Sequence, residues 1–211
     1  MEHVMENSIP EAGARRIPYV SLLLGGLALI IHAKGGASGF AFDLYKSDWG
    51  HSVIAHWAHW STDHLLWSGG AFLLLGTLCE MRDRAATIGL IVTSVPLISL
   101  GMFLFPSGMS AYAGLSGVDS AFFGWLVIQL YLTMREETDS AIRFVPVLCG
   151  AGFIAKMGYE FVTGQAFFVQ GGVEMVAVPL AHLIGFSVGI LAGTQLTEST
   201  RKDIFGGGEN A

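Results

Sequence analysis

The sequence predicts an all-α membrane protein, a bundle of six transmembrane helices with both termini in the cytoplasm. Hydrophobic residues make up 52% of the 211 residues and charged residues only 13%, and the mean hydropathy is +0.56. Such a composition excludes an ordinary soluble domain. Six apolar segments come close to the roughly 20 residues that a helix needs to cross the hydrocarbon core. They run over Ile17–Ala33, Thr62–Cys79, Ala85–Phe105, Leu115–Met134, Phe144–Val162 and Val176–Leu196.

The placement of arginine and lysine sets the orientation of these segments. Orientation follows the basic residues in short loops and not the formal net charge, which is −6 here. We expect a cytoplasmic tail over residues 1–14, a membrane domain over 15–197 and a flexible cytoplasmic tail over 198–211. The basic residues that mark the cytoplasmic side are Arg15, Arg16, Arg82, Arg84, Arg135, Arg143, Arg201 and Lys202.

The segment Gly114-Leu115-Ser116-Gly117 indicates a nucleophile at the start of the fourth span. Its glycines allow a sharp turn and a close approach of the backbone to a substrate. The helix that follows directs its unpaired N–H groups and the positive end of its dipole at Ser116, which would stabilise an oxyanion there. Packing is the alternative, since small residues are common where membrane helices meet.

His182 in the sixth span is the second candidate. It precedes a repeat of Gly185, Gly189 and Gly193 that predicts close backbone packing against a neighbouring helix. An ionisable side chain within a membrane helix indicates a functional site. The alternative is a histidine of the core whose ring is simply satisfied by hydrogen bonds.

Three candidate residues share one depth in the membrane. The second, fourth and sixth spans all run from outside to inside, and His64, Ser116 and His182 lie in the first third of each. Ser116 reaches this depth if the preceding loop dips into the protein, which is tolerated where the loop lines a water-filled cavity. We therefore predict that His182 accepts the proton of Ser116. The Ser116 backbone N–H and the His64 ring would hold the acyl oxyanion.

Two carboxylates lie inside the predicted spans. Asp119 follows Ser116 by one turn. Inserting a carboxylate into the membrane at this depth costs about 2.5 to 3.5 kcal/mol of free energy or more unless it is paired or solvated. Asp119, with the adjacent Ser120, either helps to orient the catalytic histidine or is a hydrogen-bonded packing group. Glu160 lies four residues after Lys156, a spacing that predicts a structural salt bridge.

Four histidines between residues 51 and 64 raise the question of a metal site. His56 and His59 could share a helix face, but no carboxylate or thiolate completes a ligand set and no HExxH spacing occurs. Histidines in an interfacial loop more often form structural hydrogen bonds. We predict no metal and no cofactor, and a histidine-ligated metal or haem membrane protein is the alternative.

Taken together, these residues resemble the rhomboid family of intramembrane serine proteases. The resemblance covers spans two to six and implies a six-helix rhomboid-like bundle. The motifs stand in family order, each at its expected span. They are His59 and His64 with Ser68, Glu80-x-Arg82, Gly114-x-Ser116-Gly117, and Ala181-His182-x-x-Gly185-x-x-x-Gly189.

The resemblance implies a Ser116–His182 dyad that requires no acid, and cleavage at the extended end of a transmembrane segment. With it, we assign oxyanion and substrate binding to His64, Ser68, Gly114 and Leu115. Helix packing is assigned to Gly117, Gly185 and Gly189. The implied partners are a transmembrane protein substrate and the lipid bilayer, with no nucleic acid. We expect the protein in the cell (inner) membrane, with the site opening to the non-cytoplasmic side.

Three features depart from the family pattern. Ser68 stands where the family usually has an oxyanion-binding Asn, and Ser120 replaces an aromatic residue that commonly stacks on the catalytic histidine. The usual Trp-Arg pair of the first outer loop is not evident near Gly50-His51. A catalytically weak or inactive rhomboid-like protein that binds transmembrane helices is therefore an alternative. The Tyr-x-Gly-Leu-Ser-Gly form resembles the bacterial rhombosortase branch.

Overall fold

The structure, a computed structural model, describes residues 17–46, 48–106, 109–165 and 178–205, with side chains up to residue 195. The expected tail over residues 1–14 lies outside the described residues, as do residues 206–211 of the expected second tail. The helices are α1 (Tyr19–Ala33), α2 (Ala37–Phe40), α3 (Thr62–His64), α4 (Gly70–Arg82), α5 (Arg84–Leu104), α6 (Ser116–Met134), α7 (Ser140–Thr163) and α8 (Pro179–Phe205).

The helix bounds confirm the predicted helical membrane bundle. Among the described residues, α5, α6 and α7 are long and apolar enough to cross a membrane, and α1 is a shorter apolar helix. The second predicted span is helical throughout, because α3 continues through a π-helical turn, Leu65–Gly69, into α4. Helix α8 runs to Phe205, beyond the expected end at Leu196, so the predicted boundary between membrane domain and tail falls inside a helix.

Helix α6 lies at the centre of the bundle and contacts α4, α5, α7 and α8. Its contact with α8 depends on glycines. A Cβ on Gly185 would overlap the Gly117 carbonyl oxygen, and a Cβ on Gly189 would overlap that of Ala121. The predicted glycine repeat therefore packs backbone directly against backbone.

The N-terminal end of α1 is fixed by Glu80 of α4. This buried carboxylate accepts hydrogen bonds from the backbone N–H groups of Val20 at 3.1 Å and Ser21 at 2.9 Å. The first N–H groups of a helix have no partner within it, so Glu80 satisfies two of them. Arg84 Nε lies 3.0 Å from the same carboxylate. The ion-pair partner of Glu80 is thus Arg84 and not the Arg82 of the sequence motif.

The outer loop after α1 is hydrogen-bonded to the segment that leads into α6. Strand β1 (Phe42–Asp43) pairs antiparallel with β2 (Ala111–Tyr112). A 3₁₀ turn over Ile54–Trp57 follows in the same loop, and its Ala55 carbonyl accepts a hydrogen bond from the Gly114 N–H at 3.0 Å. The sequence did not predict this ladder, because two-residue strands are too short to show an alternating pattern.

Candidate active site

Ser116 is the first residue of α6, and it is partly exposed. Just before it, Gly114 adopts a φ of +130°, a conformation that residues with a side chain rarely adopt. The buried Tyr112 hydroxyl donates a hydrogen bond to the Gly114 carbonyl oxygen at 3.0 Å and holds this turn in place. Ser116 thus belongs to the first turn of α6, whose N–H groups have no partner within the helix.

The His64 imidazole lies over Gly114. A Cβ on Gly114 would come within 2.9 Å of Cε1 and 3.0 Å of Nε2 of this ring, so glycine is needed to leave room for it. The His64 side chain is buried, and within the described part of the chain its Nδ1 has no hydrogen-bond partner. The ring also meets His59 edge to face, with centroids 4.9 Å apart. His64 thus borders the turn that precedes Ser116.

His182 lies on the part of α8 that packs against the start of α6. A Cβ on Gly117 would lie 3.2 Å from the Ala181 carbonyl oxygen, so the chain neighbours of Ser116 and His182 are in backbone contact. His182 also lies close enough to His64 for the two rings to interact electrostatically. Among the described residues, no hydrogen bond joins Ser116 Oγ to His182. Such catalytic hydrogen bonds are often long in a free enzyme and shorten when substrate binds.

A comparison with protein-family models matches residues 46–199 to the Rhomboid domain, which is more than half of the chain. The chain belongs to the rhomboid family. Rhomboids are generally intramembrane serine proteases that act on transmembrane substrates in the bilayer. A search of curated proteins found no match, so the resemblance to the rhombosortase branch stays a prediction.

Asp119 and Ser120 of this rhomboid contact groups other than the histidine they were considered to orient. Asp119 accepts a hydrogen bond from Ser68 Oγ at 3.1 Å, and both side chains are buried. This hydrogen bond joins α6 to the π-helical turn Leu65–Gly69 that contains Ser68. Ser120 Oγ donates a hydrogen bond to the Ser116 carbonyl oxygen at 2.7 Å. The Asp119 contact agrees with the prediction of a hydrogen-bonded packing group, whose role stays a prediction, and the Ser120 hydrogen bond lies within the first turn of α6.

The carboxylate that contacts His182 comes from Glu160 of α7. Glu160 Oε2 lies 3.1 Å from His182 Nδ1, and Glu160 Oε1 lies 2.7 Å from Lys156 Nζ. The predicted Lys156–Glu160 salt bridge is confirmed, but the sequence did not reveal its contact with the histidine. The signal was a carboxylate in an apolar span, which indicates a buried partner without saying on which helix that partner lies.

Two loop histidines of this rhomboid, His56 and His59, are buried hydrogen-bonding groups. His56 Nε2 lies 3.0 Å from Ser99 Oγ, and His59 Nδ1 lies 3.2 Å from the Trp57 carbonyl oxygen. Burial lowers the pKa of His56 to about 3. Burial and the nearby His64 lower the pKa of His59 to about 3, so both rings are neutral at physiological pH. Over the described ranges, no three His, Cys, Asp or Glu side chains are grouped closely enough to hold a metal ion.

Proposed function

We propose that this rhomboid is a serine endopeptidase that hydrolyses a peptide bond at or near the outer end of a transmembrane segment. The main support is the close approach of Gly117 to the Ala181 carbonyl oxygen, because Ser116 and His182 are the chain neighbours of these two residues. The helix start at Ser116 and the His64 ring above Gly114 supply donors on the same side. These features match what acyl transfer by an activated serine requires.

The reaction begins when Ser116 Oγ attacks the carbonyl carbon of the scissile bond and His182 Nε2 takes its proton. The backbone N–H of Ser116 and the His64 ring hold the resulting oxyanion, and each such donor is worth about 3 to 4 kcal/mol of the barrier. Collapse of the intermediate releases the amine, which receives the proton from His182 and leaves an acyl-enzyme. Water then attacks the acyl-enzyme by the same proton transfers, which releases the acid and restores Ser116.

We propose that the substrate is a transmembrane protein that reaches the site within the bilayer. The backbone of Gly114 and Leu115 lies immediately before Ser116, where it can run beside the scissile peptide. Ser68 donates a hydrogen bond to Asp119 of α6 at 3.1 Å, and we assign it to oxyanion and substrate binding together with His64. The positions of the basic residues support an orientation with both termini in the cytoplasm and the site open to the other side, and we propose the cell (inner) membrane as the location.

Covalent labelling of the purified protein with a fluorophosphonate tests the proposal. We expect the wild type to be labelled and Ser116→Ala and His182→Ala to lose labelling, because the first lacks the nucleophile and the second lacks its base. Ser187→Ala, which removes an exposed serine on α8, is the matched control and should label like the wild type. Equal labelling of all four proteins would reject the dyad. An unlabelled wild type that still binds transmembrane peptides would favour the inactive, helix-binding alternative.

A further inference from the structure

The Glu160 carboxylate joins the histidine of the proposed dyad to a lysine. Its two oxygens lie 3.1 Å from His182 Nδ1 and 2.7 Å from Lys156 Nζ. The Glu160 side chain is 2% exposed, and a carboxylate buried in a membrane bundle is costly unless it is paired. Lys156 provides that pairing and favours the ionised carboxylate.

The charge of Glu160 decides which of the two groups, the carboxyl or the imidazole ring, donates the proton in their hydrogen bond. An ionised carboxylate only accepts hydrogen bonds, so His182 Nδ1 must be the donor in this contact. In a neutral imidazole, a proton on Nδ1 leaves the lone pair of Nε2 free to accept the proton of a nucleophile. The contact also restricts rotation of the ring and stabilises the imidazolium that forms during the reaction.

We propose that Glu160 is a positioning residue that sets the tautomer and the orientation of His182. The working unit is then a Ser116–His182–Glu160 triad and not a dyad, an inference that rests on the proposed function. Glu160 acts through His182 and touches no reacting atom. Asp119 is another buried carboxylate near the site. It is hydrogen-bonded to Ser68, so we assign the positioning of His182 to Glu160.

Saturation kinetics of fluorophosphonate labelling test this role in the purified full chain. Glu160→Gln keeps the shape of the side chain but removes its charge, so the ring loses its fixed tautomer. We expect the maximal labelling rate to fall by about tenfold to a thousandfold. The reagent concentration at half-maximal rate should change by less than about twofold, because reagent binding does not involve Glu160. Glu160→Asp keeps the charge and should label faster than Glu160→Gln.

Glu80→Gln is the matched control, because it neutralises a carboxylate that is equally buried but holds α1 and not His182. It should lower the thermal midpoint and leave the maximal labelling rate of the folded protein unchanged. Equal losses of rate in Glu80→Gln and Glu160→Gln would overturn the positioning role, as would a wild-type rate in Glu160→Gln. Labelling that persists in Ser116→Ala would instead reject the proposed function, so the two failures are distinguishable.

Discussion

Helices α8 and α7 both pack on α6 beside the site, but they are held in different ways. Helix α8 contacts α6 directly through backbone at Gly185 and Gly189. Helix α7 contacts its neighbours through side chains, and 11% of its apolar stretch is buried, compared with 50% for α6. The relation of His182 to Ser116 is therefore fixed by the backbone, whereas the relation of Glu160 to His182 depends on how a few side chains hold α7.

Three aromatic rings form the apolar part of the α7 contact. Phe153 of α7 stacks on Phe186 of α8, with centroids 4.6 Å apart, and on Phe123 of α6, with centroids 5.3 Å apart. The Lys156–Glu160 pair lies further along α7 and forms its polar part. Side-chain contacts of this kind tolerate small shifts better than backbone contacts do, because rotamers can adjust.

The largest expected effect comes from breaking the α6–α8 contact with Gly185→Ala. The added methyl group would overlap the Gly117 carbonyl oxygen, and neither backbone can move without displacing its helix. We expect a loss of about 3 kcal/mol in the free energy of unfolding, together with loss of fluorophosphonate labelling. Denaturant titration in matched detergent measures the first. A variant as stable as the wild type would show that the contact is looser than described.

A smaller loss is expected from Lys156→Met, which removes the cation that pairs with Glu160. Fully buried pairs lose about 3 to 5 kcal/mol when one partner is removed, but the Lys156 side chain is 22% exposed. We expect a loss of about 2 kcal/mol after discounting for solvent screening. In a double-mutant cycle, adding Glu160→Gln should recover part of this loss. Strictly additive losses would show that the two side chains are not coupled.

Replacing Phe153, the central ring of the aromatic contact, should lower the free energy of unfolding by less than Lys156→Met does. Phe153→Leu keeps an apolar side chain but loses the stacking on Phe123 and Phe186, so we expect a loss of about 1 kcal/mol in unfolding free energy. Phe144→Leu, at a 58% exposed position of the same helix, is the control and should change stability little. Similar losses in both variants would argue against a specific aromatic contribution.

The smallest effect, and one of opposite sign, is expected from Gly152→Ala in α7. Among the described residues, no heavy atom beyond the adjacent backbone of α7 itself lies within 4 Å of the position that its Cβ would take. Alanine favours helix over glycine by up to about 1 kcal/mol, so the variant should be as stable as the wild type or slightly more stable. A loss comparable to that of Gly185→Ala would mean that α7 is packed as closely as α8.

The sequence predicted much of the fold because apolar segments and their ends are local features. It also predicted that the glycine repeat of α8 packs closely on a neighbouring helix, since a four-residue repeat marks one helix face. It did not predict that Glu160 contacts His182 or that Asp119 contacts Ser68. Spacing defines which residues share a face of one helix, but the neighbour of that face depends on how each helix is rotated and tilted in the bundle.

The pairing of β1 with β2 connects the outer loop to the segment that carries the proposed nucleophile. The Gly114 turn is anchored to Ala55 and the segment before it to Phe42 and Asp43, residues that precede Ser116 by more than a whole membrane crossing. Shortening this loop would leave every proposed catalytic side chain intact and still be expected to displace the nucleophile. Trimming this loop as if it were a dispensable surface segment would therefore alter the proposed catalytic centre.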